Sequence, residues 1–366
     1  MRRILVFFGT RPEAIKLVGV IRALKSRDGV ECYVCNTGQH TDMLDSVLFE
    51  MGIEADVKFS VMREGQGLSA LGSSLLSLCE SAIKKVSPDL VVVHGDTASA
   101  YFAALAAFFS HIPIAHVEAG LRSGNILSPF PEEYFRRSIS LLSDLDLAPT
   151  DVSANNLISE GKRRDGIYVT GNTVIDAVVS NLKDEYRHKV LDAAIGKKLI
   201  LVTSHRRENI GEPMRRIFGA LREVCEDREE LFMLCPMHKN PEVRRIAKEE
   251  LEGCRRFMLT EPLSSIELHN IMARCFAVIT DSGGIQEEAA HLKIPTLVLR
   301  ENTERAEGVA CGAAMLVGSD REKITESLFA LIDDRSLYER MKSADSPYGD
   351  GRASERIADA ICDYLR

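Results

Sequence analysis

Several carboxylates stand where acid–base chemistry could take place. Asp96 and Glu118 each close an apolar run beside a histidine, and Glu132 and Glu133 follow the proline-rich turn 128–131. Structural roles compete with this interpretation, because Asp96 could cap the next helix and Glu132 could stabilise a helix start. Glu118 has no such structural explanation. Positioned carboxylates can give and take protons, so these acidic residues are candidates for an acid–base site.

Two glycine turns have the features of phosphate sites. Gly9 and Arg11 lead into a helix that carries Lys16, and Ser282-Gly283-Gly284 leads into another. A helix start offers free N–H groups and the positive end of the helix dipole, and Arg11 or Arg305 can add charge against a phosphate. Each turn alone is as readily explained by an ordinary strand-to-helix connection. Two of them in one chain favour a bound diphosphate.

Further polar residues follow these turns and the predicted strands. Glu287 and Glu288 come directly after the second glycine pair, where a carboxylate can accept both ribose hydroxyls or simply complement the helix dipole. Four histidines follow strands: His94, His116, His205 and His238. Four at strand ends favour at least one ligand contact. No metal-binding spacing links them, so the sequence predicts neither a metal nor another cofactor.

Composition narrows the classes of protein and partner. The 366 residues carry 46 basic and 54 acidic side chains, a net charge of −8, which argues against nucleic acid as the partner. No apolar run approaches the roughly 18–20 residues of a membrane span, so no membrane association is predicted. The nine cysteines are scattered and lack paired zinc spacing. They are therefore interpreted as reduced thiols of a cytoplasmic protein.

Short apolar runs alternate with longer amphipathic segments, which predicts parallel sheets covered by helices. The predicted strands are 4–8, 31–36, 90–94, 114–117, 198–203, 231–235, 257–259, 275–280 and 296–299. The predicted helices are 12–26, 41–51, 68–85, 98–110, 212–225, 242–251, 265–273, 284–292, 324–332 and 353–364. The pattern restarts near residue 198, which indicates two doubly wound α/β domains that join near 170–185. Because ligands bind at the carboxyl ends of such strands, the polar residues are expected in one cleft.

Several motifs occur in a fixed order along the chain. They are GTRPEAIK, TGQH, HGDT, HVEAGLRSG, SPFPEE, TGNTVIDA, HRREN, TDSGGIQEE, TER and PYGDGR. Individually several are weak, but as an ordered set they are highly specific. With them the chain resembles the non-hydrolysing UDP-N-acetylglucosamine 2-epimerases, from residue 4 to the last predicted helix.

The resemblance implies a GT-B fold, in which two doubly wound Rossmann-like α/β domains face each other across a cleft. Residues 1–172 would form the sugar domain with the carboxylates, 173–346 the UDP domain, and 347–366 a helix that crosses back to the first domain. A homodimer acting on a UDP-sugar without metal or nicotinamide is implied as well, with a role in cell-surface polysaccharide synthesis.

Site residues are also carried over by the resemblance. The catalytic residues would be Asp96, Glu118, Glu132 and His205. The substrate-binding residues would be Arg11, Lys16, Arg136, Ser282, Gly283, Gly284, Glu288 and Arg305. In bacterial relatives UDP-N-acetylglucosamine also acts as an allosteric ligand, which here would lie near Gln39, His40, Gln66, His205, Arg206 and His238.

The implied reaction explains why three carboxylates are needed. The carbon-2 proton becomes acidic only as the anomeric carbon–oxygen bond breaks, so elimination yields UDP and a 2-acetamidoglucal. UDP then adds back, with protonation from the opposite face. Cations must hold the leaving diphosphate. One carboxylate must oppose the developing positive charge, and an acid or base must stand on each ring face.

Four other functions remain open from the sequence alone. They are a hydrolysing 2-epimerase, the same reaction on another UDP-N-acetylhexosamine derivative, a GT-B glycosyltransferase and a nucleotide-sugar sensor. The chain also departs from the family pattern. Phe135 stands for an asparagine, Ser204 for a glycine, Leu268 for a phenylalanine and Thr41 for a basic residue.

Overall fold

The computed structural model describes residues 1–39, 48, 52–62 and 65–366. The chain forms two units: unit 1 comprises Met1–Ala177 with Tyr348–Arg366, and unit 2 comprises Val178–Pro347. The chain thus divides at residues 177 and 347, where the sequence placed the boundaries at 172 and 346. The helix predicted over 41–51 lies outside the described residues except for Leu48.

Parallel strands form one sheet in each unit. The strands are β1 Arg2–Phe8, β2 Val30–Asn36, β3 Val57–Lys58, β4 Leu90–His94, β5 Ile114–Val117, β6 Leu145–Ala148, β7 Ile167–Val169, β8 Lys198–Thr203, β9 Leu231–Pro236, β10 Phe257–Thr260, β11 Ala277–Thr280, β12 Thr296–Val298 and β13 Ala314–Leu316. Unit 1 has the order β3-β2-β1-β4-β5-β6-β7, and unit 2 has β10-β9-β8-β11-β12-β13. Both orders are Rossmann-like, which confirms the predicted α/β class.

Helices connect the strands and cover the sheets. They are α1 Arg11–Lys25, α2 Leu68–Val86, α3 Ala98–Phe109, α4 Glu132–Leu142, α5 Asp151–Ser159, α6 Thr173–Asn181, α7 Lys189–Ala193, α8 Glu212–Asp227, α9 Pro241–Leu251, α10 Ser265–Met272, α11 Gly283–His291, α12 Ala306–Ala310, α13 Arg321–Asp333, α14 Arg335–Ser343 and α15 Ala353–Tyr364. Buried strand residues such as Ile4 and Val6 pack against helix residues such as Leu17 and Ile21. Burial of both sheet faces accounts for the uninterrupted apolar strands seen in the sequence.

The last helix belongs to unit 1 and packs on α1. Ile357 and Ile361 of α15 lie in the same buried cluster as Leu17. Arg27, just after α1, pairs with Glu355 at 2.6 Å and with Asp359 at 2.8 Å. The end of the chain therefore completes the core of the unit in which the chain begins.

The strands that the sequence did not predict are β3, β6, β7 and β13, and β6 and β7 are neighbours at one end of the first sheet. Strand β6 contains Asp146, a charged residue that interrupts an apolar run, yet Asp146 is fully buried. Its carboxylate accepts a hydrogen bond from Ser143 Oγ at 2.7 Å and lies 2.9 Å from Lys162 Nζ. A cation and a hydroxyl supplied by neighbouring loops make this burial tolerable, because buried charges need partners. Neither partner can be recognised from strand periodicity.

Candidate functional site

Each sheet has a point where the strand order reverses. In unit 1 this switch point lies between β1 and β4, and in unit 2 between β8 and β11. The loops that leave such neighbouring strands diverge, so an opening forms at their carboxyl ends. The loops after β4, β8 and β11 carry Asp96, His205 and the Ser282-Gly283-Gly284 turn, and α1, which follows β1, carries Arg11 and Lys16.

The switch point of unit 1 opens into a cavity of about 460 Å³. Asp96, Glu118 and Glu132 all line it, together with Lys16. These residues come from α1, α4 and the ends of β4 and β5, so the fold brings together groups more than a hundred positions apart. The trio of carboxylates predicted from the sequence thus shares one cavity.

Glu118 is held by two basic side chains. Its Oε2 accepts a hydrogen bond from Lys16 Nζ and lies 3.2 Å from His94 Nε2. The residue is nearly buried and has a φ of +65°, a left-handed conformation that is uncommon for glutamate. Backbone strain of this kind often marks functional sites, because it persists only where the surroundings enforce it. Lys16, predicted to contact phosphate, is here the partner of a carboxylate.

Helix α4 positions the other two carboxylates. Glu132 is the first residue of the helix, and Arg136 follows one turn later on the same face. The Arg136 guanidinium donates a hydrogen bond to Asp96 Oδ2, and its Nη1 lies 3.4 Å from the buried Glu133. Among the described residues Glu132 itself forms no ion pair. The three carboxylates therefore differ in their neighbours, with a lysine at Glu118, an arginine at Asp96 and no cation at Glu132.

Glu13 is a buried site residue to which the sequence reading assigned no role. Its Oε2 accepts hydrogen bonds from the backbone N–H groups of Gly9 and Thr10 at 3.1 and 2.8 Å, and from Thr10 Oγ1 at 2.7 Å. Its Oε1 accepts from Thr97 Oγ1 at 2.6 Å. Burial raises the pKa of Glu13, although these hydrogen bonds oppose the shift. Glu13 thus ties the loop after β1 to the residue that follows Asp96, and the T-x-x-E capping box was its signal in the sequence.

His116 has a structural role in unit 1. The side chain is fully buried, and its Nε2 lies 2.7 Å from the carbonyl oxygen of Gly95. Burial lowers the pKa of His116 to about 4, although Asp146 nearby opposes the shift. The ring is therefore neutral at pH 7, and it contacts the backbone carbonyl of Gly95, the residue before Asp96.

Asp281 is the central buried group at the switch point of unit 2. It accepts hydrogen bonds from the backbone N–H groups of His205 and Arg206 at 2.9 and 3.0 Å, from Asn209 Nδ2 at 2.9 Å and from Ser204 Oγ at 3.0 Å. Burial alone would raise the pKa of Asp281, but His205 and these donors lower it to about 2. Ser204 supplies one of these donors through its hydroxyl group.

The Ser282-Gly283-Gly284 turn provides an open helix start. Helix α11 begins at Gly283. The side chain of Ser282, which precedes it, makes no capping hydrogen bond to the helix. The first N–H groups of such a helix lack intrahelical acceptors and suit phosphate oxygens. A Cβ on Gly283 would lie 3.0 Å from Arg305 Cζ, so glycine allows the guanidinium to pack against the turn.

Arg305 is buried and already paired with carboxylates. Its Nε donates to Glu287 at 2.9 Å, and its Nη1 lies 3.1 Å from Glu304. Burial alone would raise the pKa of Glu304, but Arg305 and Arg300 lower it to about 2. Glu288, the predicted ribose contact, is nearly buried, and its Oε2 lies 3.5 Å from His269 Nε2. Arg305 therefore supports the α11 turn in addition to any contact with phosphate.

The residues assigned to an allosteric ligand come from both units. In unit 2, His238 stacks on His205 with ring centroids 5.4 Å apart, and Arg206 lies 3.4 Å from Glu304. In unit 1, Gln39 lines the carboxylate cavity, and Gln66 precedes α2. His40 and Thr41 lie outside the described residues.

Arg11 and Leu268 are the remaining residues that the sequence singled out. Arg11 is the first residue of α1 but does not line the carboxylate cavity. Leu268 packs at the edge of a core cluster of unit 2. Across the described ranges, no group of three or more His, Cys, Asp and Glu side chains is arranged to hold a metal ion. No helix in that part of the chain is long and apolar enough to cross a membrane.

Fold and site together define a class. The chain is a Rossmann-like α/β protein with a carboxylate-lined cavity at one switch point and an open helix start at the other.

Comparisons with known proteins agree with this class and narrow it. The family model for UDP-N-acetylglucosamine 2-epimerase matches residues 22–362. The UDP-N-acetylglucosamine 2-epimerase of Bacillus subtilis (strain 168) is 44% identical over 98% of this chain and 94% of its own length. The enzyme of that name from Campylobacter jejuni is 43% identical over 99% of this chain and 97% of its own.

Solved structures of other proteins are also similar to this chain. The structure of S. aureus MnaA with UDP is similar at a TM-score of 0.94 and 45% identity, covering 100% of this chain and 97% of that one. The Neisseria meningitidis UDP-GlcNAc 2-epimerase bound to UDP-GlcNAc has a TM-score of 0.93 and 40% identity, covering 99% and 100%. The chain belongs to the UDP-N-acetylglucosamine 2-epimerase family.

Proposed function

We propose that this chain reversibly converts UDP-N-acetylglucosamine to UDP-N-acetylmannosamine without hydrolysis. The observation that carries the proposal is the cavity of unit 1, where Asp96, Glu118, Glu132 and Lys16 face one space. The names of the relatives from B. subtilis and C. jejuni and the UDP-GlcNAc bound to the N. meningitidis enzyme support the substrate.

The proposed reaction is an elimination followed by an addition. The anomeric C1–O bond breaks, and its electron pair leaves with the β-phosphate oxygen of UDP. A carboxylate takes the proton from C2, and the C1=C2 double bond of 2-acetamidoglucal forms. In the second half the UDP oxygen adds to C1, and another acid delivers a proton to the opposite face of C2. Three carboxylates meet this need for an acid or base on each face and for a negative charge near the cationic centre.

Each unit supplies one part of this chemistry in the proposal. In unit 1, Lys16 and Arg136 hold Glu118 and Asp96 in fixed positions, so the carboxylates are oriented before the sugar binds. In unit 2, the open start of α11 offers N–H groups to the leaving diphosphate, whose charge grows during elimination. Glu288 is the proposed ribose contact, and His205 stands beside the α11 turn through Asp281.

The proposal is tested by proton NMR of the purified protein with UDP-N-acetylglucosamine in deuterated water. We expect UDP-N-acetylmannosamine to grow in, with deuterium at carbon 2 of both sugars, because C2 loses its proton to an exchanging carboxylate. The Glu118→Gln protein is the negative control. Free N-acetylmannosamine with UDP would assign the chain to the hydrolysing reaction, and epimerisation with retained protium would refute proton exchange at C2.

Three further properties are part of the proposal. We expect a homodimer, a cytoplasmic location and a product used for cell-surface polysaccharide. All nine cysteines are free thiols, and burial raises the pKa of Cys35 and Cys235 to about 12, which keeps them unreactive. This agrees with a reducing compartment. Light scattering after size-exclusion chromatography measures the oligomeric state, and a monomeric mass at micromolar concentration would contradict the dimer.

A further inference from the structure

The carboxylate cavity has an apolar side that the acid–base chemistry does not require. Leu71 and Phe135 belong to one buried cluster, and both line the cavity together with Leu68. Phe135 follows Glu132 by three residues on α4, and Leu71 follows Leu68 by three on α2. Side chains three apart lie on the same helix face. The first turns of two helices thus present hydrocarbon to the space that holds the carboxylates.

Phe135 is a firmly held part of this apolar side. It is 4% exposed, and its ring stacks on Tyr101 with centroids 4.9 Å apart and planes at 16°. Phe102 meets the same ring edge-on at 6.2 Å. A ring packed on two sides keeps its position, because protein cores leave little free volume.

Gln39 adds a polar group to the same cavity. Its Oε1 accepts hydrogen bonds from Ser99 Oγ at 2.8 Å and from the Ser99 backbone N–H at 3.3 Å. With the oxygen engaged, the NH2 group of the carboxamide serves as a donor for a carbonyl oxygen. An amide bearing a short alkyl chain has one carbonyl oxygen and one apolar end. The cavity therefore offers partners for both parts of an N-acyl group.

We propose that Leu68, Leu71, Phe135 and Gln39 form the subsite for the 2-acylamino group of the sugar, with Phe135 limiting the length of the acyl chain. The inference rests on the proposed function, in which the carboxylates act at carbon 2. The acylamino nitrogen is bonded to that carbon, so its acyl group must lie in the cavity that contains the carboxylates. Burial of the acyl methyl favours a 2-acylamino sugar over a 2-hydroxy sugar.

The subsite is tested with UDP-N-acetylglucosamine and its N-propanoyl analogue, which is one methylene longer. The measured quantity is kcat/KM for deuterium incorporation at carbon 2. We expect Phe135→Leu to raise the ratio of N-propanoyl to N-acetyl activity by about fourfold or more, because the smaller side chain leaves room for a methylene. Phe135→Asn should lower kcat/KM for the N-acetyl substrate by about tenfold, mainly through KM.

Phe102→Leu is the matched control, since Phe102 packs in the same aromatic group without lining the cavity. It should lower thermal stability about as much as Phe135→Leu and leave the substrate ratio unchanged. If Phe135→Leu left the ratio unchanged while UDP-N-acetylglucosamine was still epimerised, the subsite would be refuted and the proposed function would stand. If the wild-type protein turned over neither substrate, the proposed function would fail, and the subsite with it.

Discussion

The two switch points have the same topology and each has a buried carboxylate, but the two carboxylates differ in their role. Each lies between the first and fourth strands of its sheet, and each contains a buried carboxylate that ties the two loops together. In unit 1 this is Glu13, which follows the first strand and reaches Thr97 beyond the fourth. In unit 2 it is Asp281, which follows the fourth strand and reaches His205 and Arg206 beyond the first.

The donors around each carboxylate decide its charge. At Glu13 burial outweighs the hydrogen bonds, and the pKa is raised. At Asp281 burial is overcome by His205 and the N–H groups of the following loop, and the pKa falls to about 2. Asp281 therefore accepts hydrogen bonds from the N–H groups of the loop after β8. The N–H groups at the start of α11 remain for a ligand. Glu13 instead stabilises a loop beside which three other carboxylates face the cavity.

The largest expected effect concerns the carboxylates of unit 1. Asp96→Asn, Glu118→Gln and Glu132→Gln should each lower turnover by about 100-fold or more, because each removes a charge or proton-transfer group from the cavity. Initial rates of UDP-N-acetylmannosamine formation measure this. Glu160→Gln is the control, since Glu160 pairs with Arg122 and Arg137 outside the cavity. Near-native rates in all three variants would show that the cavity is not the reaction centre.

Removal of the central carboxylate of unit 2 should have the next largest effect. Asp281→Asn places an amide against backbone N–H donors, so we expect the free energy of unfolding to fall by about 2–3 kcal/mol and UDP affinity to weaken. Urea denaturation and calorimetric titration with UDP measure the two changes. Asp320→Asn, at the exposed cap of α13, should change neither, since asparagine caps a helix equally well. Unchanged UDP affinity in Asp281→Asn would separate the loop after β8 from the nucleotide site.

A smaller effect, on the free energy of unfolding, is expected when His116 is protonated at low pH. Its pKa is lowered to about 4 in the folded chain, so the stability it contributes is complete above its unfolded value near 6.5 and is lost as pH falls towards 4. At pH 5 this loss should be about 2 kcal/mol relative to pH 7. His116→Gln should remove much of it, whereas the exposed His111→Asn should not. Equal pH dependence in wild type and His116→Gln would contradict a neutral buried ring.

The smallest expected effect sharpens the contrast between the two buried carboxylates. Because burial raises the pKa of Glu13, stability is greatest when Glu13 is protonated and declines as pH rises through the folded pKa. Glu13→Gln resembles the protonated form, so its stability relative to wild type should increase between pH 4 and pH 8, by about 1 kcal/mol or less. Melting temperatures across this range test the prediction. Asp281→Asn should show no such rise, and a constant difference for Glu13→Gln would show that Glu13 titrates normally.

Much of the fold could be predicted because its signals are local. Apolar runs and amphipathic periods depend on a few neighbouring residues, and strands such as β1, β4 and β8 were located within two residues of their observed ends. Strands β3, β6, β7 and β13 were missed. Strand β6 carries the buried Asp146, and β7 is a three-residue, half-exposed edge strand. The stability of β6 and β7 comes from Lys162 and from their pairing with each other, and neither leaves a local pattern.

Some properties of the site follow from the sequence alone. The places of Asp96 and Glu118 after predicted strands indicated that these two would lie near each other, since parallel strands end at one edge. Glu132 was added to them by the family resemblance. The capping box of Glu13 and the glycines at the start of α11 can likewise be recognised from a few neighbouring residues. These features need only short spacing and known backbone preferences.

The pairings were decided by the tertiary structure. Lys16 meets Glu118, which is 102 residues away, Arg136 meets Asp96, which is 40 away, and Gln39 lines the same cavity as the carboxylates. Such partners depend on β1 lying beside β4 and on where α2 and α4 place their first turns. Residue type states what a side chain can do, but the charge it carries and the ligand it meets depend on neighbours that only the folded chain supplies.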